Sequence, residues 1–132
     1  MLPKVLVIDD DRGLTDMFEL TMPYEGFEAI TANSGPEGIK IAREKQPDVV
    51  VLDLMMPDMD GWRVCQEIRA FSQVPILVLS AVVDTQRMKR AMDAGANEYL
   101  IKPAPEGALV ACLKKLIEQG RINREDEPVS NA

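Results

Sequence analysis

Five residues of this chain have types and positions that could do chemistry together: Asp9, Asp10, Asp53, Ser80 and Lys102. Each ends or directly follows a short apolar run: KVLVI before Asp9-Asp10-Asp11, VVVL before Asp53, ILVL before Ser80 and EYLI before Lys102. Runs of this kind, rich in β-branched side chains, suit strands covered on both faces. Parallel strands all end on one edge of their sheet, the edge where open α/β sheets bind ligands. Carboxylates gathered there repel one another and need a cation. A set of oxygens without His or Cys suits Mg²⁺, which keeps waters and takes few carboxylates. Lys102 supplies a second positive charge and Ser80 a hydroxyl donor. Carboxylate nucleophile, Mg²⁺, lysine and hydroxyl together make a phosphoryl-transfer site, in which the cations neutralise the equatorial oxygens while the carboxylate attacks in line. The product is an aspartyl phosphate, whose added charge can reorganise nearby loops.

The elements that must position these residues alternate along the chain. After the first strand, Leu14, Met17, Phe18 and Thr21 are spaced as one face of a helix, which Pro23 stops and Gly26 turns. Phe27 to Ala32 is a weaker strand. Ser34-Gly35-Pro36-Glu37 forms a capping box for a helix running to about Gln46, with Ile39, Ile41 and Ala42 inward. The third strand breaks at Met55-Met56-Pro57-Asp58, and a third helix covers about Trp62 to Phe71 with Val64, Cys65, Ile68 and Phe71 on one face. Trp62 itself is expected as packing on the helix surface. Asp84 or Thr85 caps a fourth helix whose Met88, Ala91 and Met92 are expected in the core first and as a docking surface second. The last helix carries Leu109, Cys112, Leu113, Leu116 and Ile117, with Gly120 after it. Five β–α units of this length predict a single-domain α/β fold, a parallel sheet with helices on both faces joined by right-handed crossovers. The domain is expected over residues 1–120, with 121–132 a polar tail or the start of a linker.

Bulk properties narrow the function. The 132 residues are enough to bury a core without staples, and no apolar run approaches a membrane span. A net charge of −7 argues against direct nucleic-acid binding by this segment. The two cysteines, Cys65 and Cys112, fall on helical patterns and suit small core positions in a reduced, cytoplasmic protein; the N-terminus does not read as a signal peptide. The absence of histidine excludes His-based acid–base chemistry, His metal ligation and phosphohistidine within this chain.

The motifs VLVIDDD, VVVLDLMMPDMDG, ILVLSA and GANEYLIKP, in this order and spacing, resemble those of the response-regulator receiver domain over about residues 3–119. The resemblance implies a flavodoxin-like doubly wound sheet of order 2-1-3-4-5. It implies Asp53 as phospho-acceptor, and Asp10 and Asp53 as Mg²⁺ ligands helped by the backbone carbonyl of Met55, with Asp9 acting through water. Lys102 would pair with the phosphate, across a cis Lys102–Pro103 bond. Ser80 would follow the phosphate, and Tyr99 would change rotamer with it. The implied partners are a sensor histidine kinase or phosphotransfer protein and a downstream effector that meets the face made by the fourth helix, fifth strand and fifth helix. The implied role is signalling rather than enzymatic turnover.

The chain also departs from the family pattern. Ala104 stands where many relatives carry Phe, and Asn97-Glu98 replaces an Asp pair. Ala108 and Cys112 occupy charged positions of one dimerising branch, so a homodimer stays open. Pro23 falls late in the first helix, beside a partner-docking face. Met55 and Val82 flank the acceptor with apolar groups where some relatives place polar ones, which predicts slow dephosphorylation. Two competing functions have their own discriminators. A haloacid-dehalogenase-type phosphatase would use Asp9-x-Asp11 as nucleophile motif and leave Asp53 without a job. A phosphorylation-independent docking scaffold would not need the complete acidic site.

Overall fold

The computed structural model describes residues 1–125. Five strands, β1 (Lys4–Ile8), β2 (Glu28–Ala32), β3 (Val49–Leu52), β4 (Ile76–Ser80) and β5 (Glu98–Ile101), form one parallel sheet of order 2-1-3-4-5. The helices between them are α1 (Arg12–Thr21), α2 (Gly35–Lys45), α3 (Gly61–Arg69), α4 (Thr85–Asp93) and α5 (Glu106–Glu125). The expected fold class and strand order are those observed. The winding direction reverses between β1 and β3, which opens a crevice beyond their carboxyl ends.

Strand alternation divides the core in two. Leu6, Ile8, Val50, Leu52, Ile76 and Val78 face Val64, Cys65, Ile68 and Ala91 on the side of α2, α3 and α4. Val5, Val7, Val49, Val51, Leu77 and Leu79 face Phe18, Leu109, Leu113 and Leu116 on the side of α1 and α5. Both faces of the central strands are therefore dry, which is why they read as continuous apolar runs rather than alternating ones. Between α2 and β1 the helix approaches closely enough that a Cβ at Gly38 would lie 2.5 Å from Ile8 Cδ1.

Local signals fix the helix starts. Asp11, Ser34, Asp60 and Asp84 are N-caps whose side chains accept from Leu14, Glu37, Arg63 and Gln86 backbone N–H groups. After α1, Pro23 lies in a 3₁₀ turn, Met22–Glu25, rather than in the helix itself. Asn97 ties the turn before β5 to its neighbours: its Oδ1 accepts from Ile76 N (2.8 Å) and from Arg69 Nη2 (2.8 Å). Arg69 also donates to the carbonyls of Gly95, Ser72 and Val74, tying the end of α3 to both β4 and the turn before β5.

Four sequence expectations are corrected. Trp62 is buried, 6% exposed, not surface packing. Met92 is 42% exposed and Ala91 is the buried residue of α4, so the outward role of this methionine comes first. Met17, expected on the inward face of α1, is also exposed, because Phe18 and Leu14 fill that side. The last helix does not stop at Gly120 but continues to Glu125; a glycine inside a helix costs only about 1 kcal/mol, and the packed turns before it carry the helix on. The rest of the expected tail, 126–132, lies outside the described residues. No helix among the described residues is long and apolar enough to cross a membrane.

Candidate functional site

The strand ladders run right up to the site. Asp9 N bonds to Ala32 O (3.0 Å), Asp53 N to Ile8 O (3.0 Å) and Lys102 N to Ser80 O (2.9 Å), so the backbone of each chemical residue is held in register with a neighbouring strand. This rigid edge brings together Asp9, Asp10, Asp53, Ser80 and Lys102. One carboxylate oxygen from each of Asp9, Asp10 and Asp53 lies within 4.8 Å of the others, Asp9 and Asp53 being buried and Asp10 exposed.

Lys102 bridges two of these acids. Its Nζ is 2.7 Å from Asp9 Oδ2 and 3.7 Å from Asp53 Oδ2. Burial alone would lower the Lys102 ammonium, but the hydrogen bond to Asp9 and the charges of Asp53, Asp9 and Asp11 outweigh it and hold its pKa above the ordinary lysine value. Asp9 uses its other oxygen to accept from Asp11 N (2.9 Å). Asp11 itself is the α1 cap, its side chain accepting from Leu14 N. The Lys102–Pro103 peptide is cis.

Asp53 is 7% exposed. Burial first, and the charge of Asp9 second, push its carboxyl above the usual carboxylate value; Lys102, the Met55 amide and the Ser80 hydroxyl pull the other way without cancelling the rise. Met55 meets Asp53 through its backbone N–H. The Met55 side chain points out, 55% exposed, while Val82 is buried beside Ser80.

Ser80 and Tyr99 meet at one residue, Val82. Ser80 Oγ accepts from Val82 N (3.3 Å), and the Tyr99 hydroxyl donates to Val82 O (2.6 Å). Burial raises the Tyr99 phenol and the nearby Asp53 charge adds to it, while a hydrogen bond with Ser80 acts against both. The loop from β4 into α4 is therefore held through both the N–H and the carbonyl of Val82.

Sequence reasoning missed three supports. Asn33 Nδ2 donates to Asp9 O and to Thr15 Oγ1, both at 2.9 Å, and so anchors the loop after β1; its place one residue past β2 was the only signal. Gly61 N bonds to Leu54 O (2.8 Å), and a Cβ there would fall against the Asp53 carbonyl and 2.6 Å from Leu54 Cα, so only glycine lets α3 start this close to the acceptor. Trp62 follows it and reaches α4, a contact no local pattern announces.

A hard divalent cation fits this donor set: three carboxylates, no His or Cys, and one acid open to solvent so that waters can complete the shell. Comparison with known proteins agrees with the geometry. A sequence model of the response regulator receiver domain matches residues 5–114. The transcriptional regulatory protein AfsQ1 of Streptomyces coelicolor is 35% identical over 125 residues, 95% of this chain and 56% of its own length. The DNA-binding response regulator MtrA of Mycolicibacterium smegmatis is 38% identical over 128 residues, 97% of this chain and 54% of its own. A crystal structure of a response regulator receiver domain protein from Clostridium thermocellum superposes with a TM-score of 0.87 at 30% identity, covering 92% of this chain and 99% of that one. This chain belongs to the response-regulator receiver domain family and is the receiver domain of a two-component response regulator. It spans about half the length of the curated relatives it matches.

Proposed function

We propose that Asp53 accepts a phosphoryl group from the phosphohistidine of a sensor kinase or phosphotransfer protein, or from a small acyl phosphate. The carrying observation is the cluster itself: three carboxylates within 4.8 Å and a lysine that spans Asp9 and Asp53. An Asp53 carboxylate oxygen attacks phosphorus in line, the bond from phosphorus to the donor nitrogen or oxygen breaks, and the donor keeps the electron pair. Asp9, Asp10 and Asp53 would hold Mg²⁺, which when bound supplies charge neutralisation at the transferring group. Lys102 moves from Asp9 toward the new phosphoryl oxygens, and the Ser80 hydroxyl, whose oxygen accepts from Val82 N, donates its proton to another.

Of the two acids, Asp53 is the better nucleophile. Both oxygens of Asp9 are already engaged, by Lys102 Nζ and Asp11 N, which disfavours the phosphatase-type use of Asp9. The exposed apolar side chains of Met17, Leu20 and Tyr24, beside an apolar groove of about 260 Å³ between α1 and α5, suit docking of the donor. The α4–β5–α5 face would pass the signal to an effector. The family's longer relatives include DNA-binding regulators, so nucleic-acid contact would belong to a further domain and not to this acidic segment. The role is that of a cytoplasmic signalling acceptor without turnover beyond slow loss of its own phosphoryl group.

Borohydride trapping of the acyl phosphate followed by peptide mass mapping tests the assignment. Label on Asp53 is expected; label on Asp9 would instead support the phosphatase reading.

A further inference from the structure

Helix α4 is held loosely by its own packing: of its residues Thr85–Asp93, Ala91 is the buried one. Its other restraints are specific. At its N-terminal end, Val82 is gripped through its N–H by Ser80 and through its carbonyl by Tyr99. Farther along, the Trp62 indole N–H donates to Arg87 O (3.2 Å), and the Arg90 guanidinium carbon lies 4.4 Å from the centre of the Trp62 ring. Arg87 O lies within the helix, so the indole adds a bond from another element to a helical carbonyl. Trp62 is the second residue of α3, next to Gly61, which packs on the backbone of Asp53 and Leu54. One side chain therefore links the acceptor's loop to the helix that leads to the output face.

We propose that Trp62 and Arg90 form a latch that holds α4 in its unphosphorylated position and sets how much of the phosphoryl group's binding energy the switch consumes. The inference rests on the phospho-acceptor reading of Asp53. When the Ser80 side chain moves to the phosphoryl group, the Val82 N–H loses its acceptor, and Trp62 is the polar tether on the body of α4, with Tyr99 holding Val82 O before the helix and Cys65 Sγ meeting Ala94 O after it. A shift of α4 must then break the indole hydrogen bond and slide Arg90 off the ring, each a modest interaction worth a few-fold in the equilibrium. Trp62 is a positioning residue: it touches neither phosphorus nor metal. Weakening the latch favours the shifted state and so tightens the acceptor for anything that stabilises that state.

The sole tryptophan makes the latch directly observable. Full-chain wild type, Arg90→Met and Trp62→Phe would be titrated with beryllium fluoride in the presence of Mg²⁺, with intact mass after a small acyl phosphate read in parallel. In wild type, acrylamide quenching of Trp62 is expected to rise on beryllium fluoride binding as the ring loses its cover. Arg90→Met, on an exposed helix face where folding is not at risk, is expected to bind beryllium fluoride about five-fold more tightly, and Trp62→Phe likewise. Unchanged quenching, together with affinities within about two-fold of wild type in both variants, would overturn the latch while a normal mass gain left the acceptor reading intact. No mass gain in any of them would remove both.

Discussion

Replacing Asp53 by Asn is expected to make the protein more stable, although it destroys the acceptor. The ionised Asp53 carboxylate is buried beside Asp9, with closest oxygens inside the 4.8 Å cluster, and Lys102 is 3.7 Å away. At an effective dielectric near 20, the Asp9 repulsion is at least about 3.5 kcal/mol, 4.8 Å being the upper limit of the separation, and the Lys102 attraction about 4.5 kcal/mol, so the two largely offset each other. What remains is the desolvation of a buried anion, several kcal/mol for a fully dry ion and less here because the cluster opens to water at Asp10. The raised pKa of Asp53, with burial as its largest cause, carries the same sign. An Asn keeps an oxygen for the Met55 amide and the Ser80 hydroxyl and loses the charge. The expected gain at pH 7 is about 1–2 kcal/mol, or about 3–8 °C in Tm. The sign with pH is fixed by the direction of the shift. Between the unfolded value near 3.8 and the raised folded value, the native state holds a proton that the unfolded state has lost, so wild-type stability falls as pH rises through that window. The variant's advantage should therefore be full at neutral pH and fade as the pH approaches 3.8. Urea unfolding of both proteins at several pH values, without divalent cation, reads this directly. A variant less stable than wild type at pH 7, or an advantage that grows on acidification, would refute the reasoning.

Lys102→Met should cost about 2 kcal/mol at neutral pH by leaving buried Asp9 unpaired, and should lower phosphorylation by a small donor; urea unfolding and intact mass check the two halves. Because its partners hold the Lys102 pKa above 10.5, the stability it lends is complete below that value and is lost as pH rises through the folded pKa, so wild type and variant should converge in alkali. Gly38→Ala should destabilise by about 1–3 kcal/mol, against the helix propensity of Ala, since the new methyl would sit 2.5 Å from Ile8; thermal unfolding gives the sign. Met55→Asn should shorten the aspartyl-phosphate lifetime by roughly 3–10-fold, by giving an attacking water a polar partner where the exposed methionine offers none; the decay of the phosphorylated mass measures it.

The acceptor edge was legible in the sequence because a parallel sheet delivers every strand end to one side. Once KVLVI, VVVL, ILVL and EYLI were read as strands, Asp9, Asp53, Ser80 and Lys102 had to meet. Two caps were equally local: Ser34 and Asp84 precede their helices by one residue. What was not legible depends on neighbours distant in the chain. Trp62 is buried because α4 lies across it, not because of anything in the α3 pattern. Helix α4 exposes Met92 because a helix with short buried contact needs little more than Ala91 to sit on the sheet. Asn33 supports the site through one side-chain amide and Gly61 through a close backbone approach, neither of which carries a side-chain periodicity.

The central claim is tested most directly by intact mass after incubation with a small acyl phosphate, with and without Mg²⁺, for wild type and Asp53→Ala. A Mg²⁺-dependent gain of a single phosphoryl group in wild type, absent in the variant, is the result the cluster geometry requires. A gain that persists in Asp53→Ala, or that ignores Mg²⁺, would contradict it.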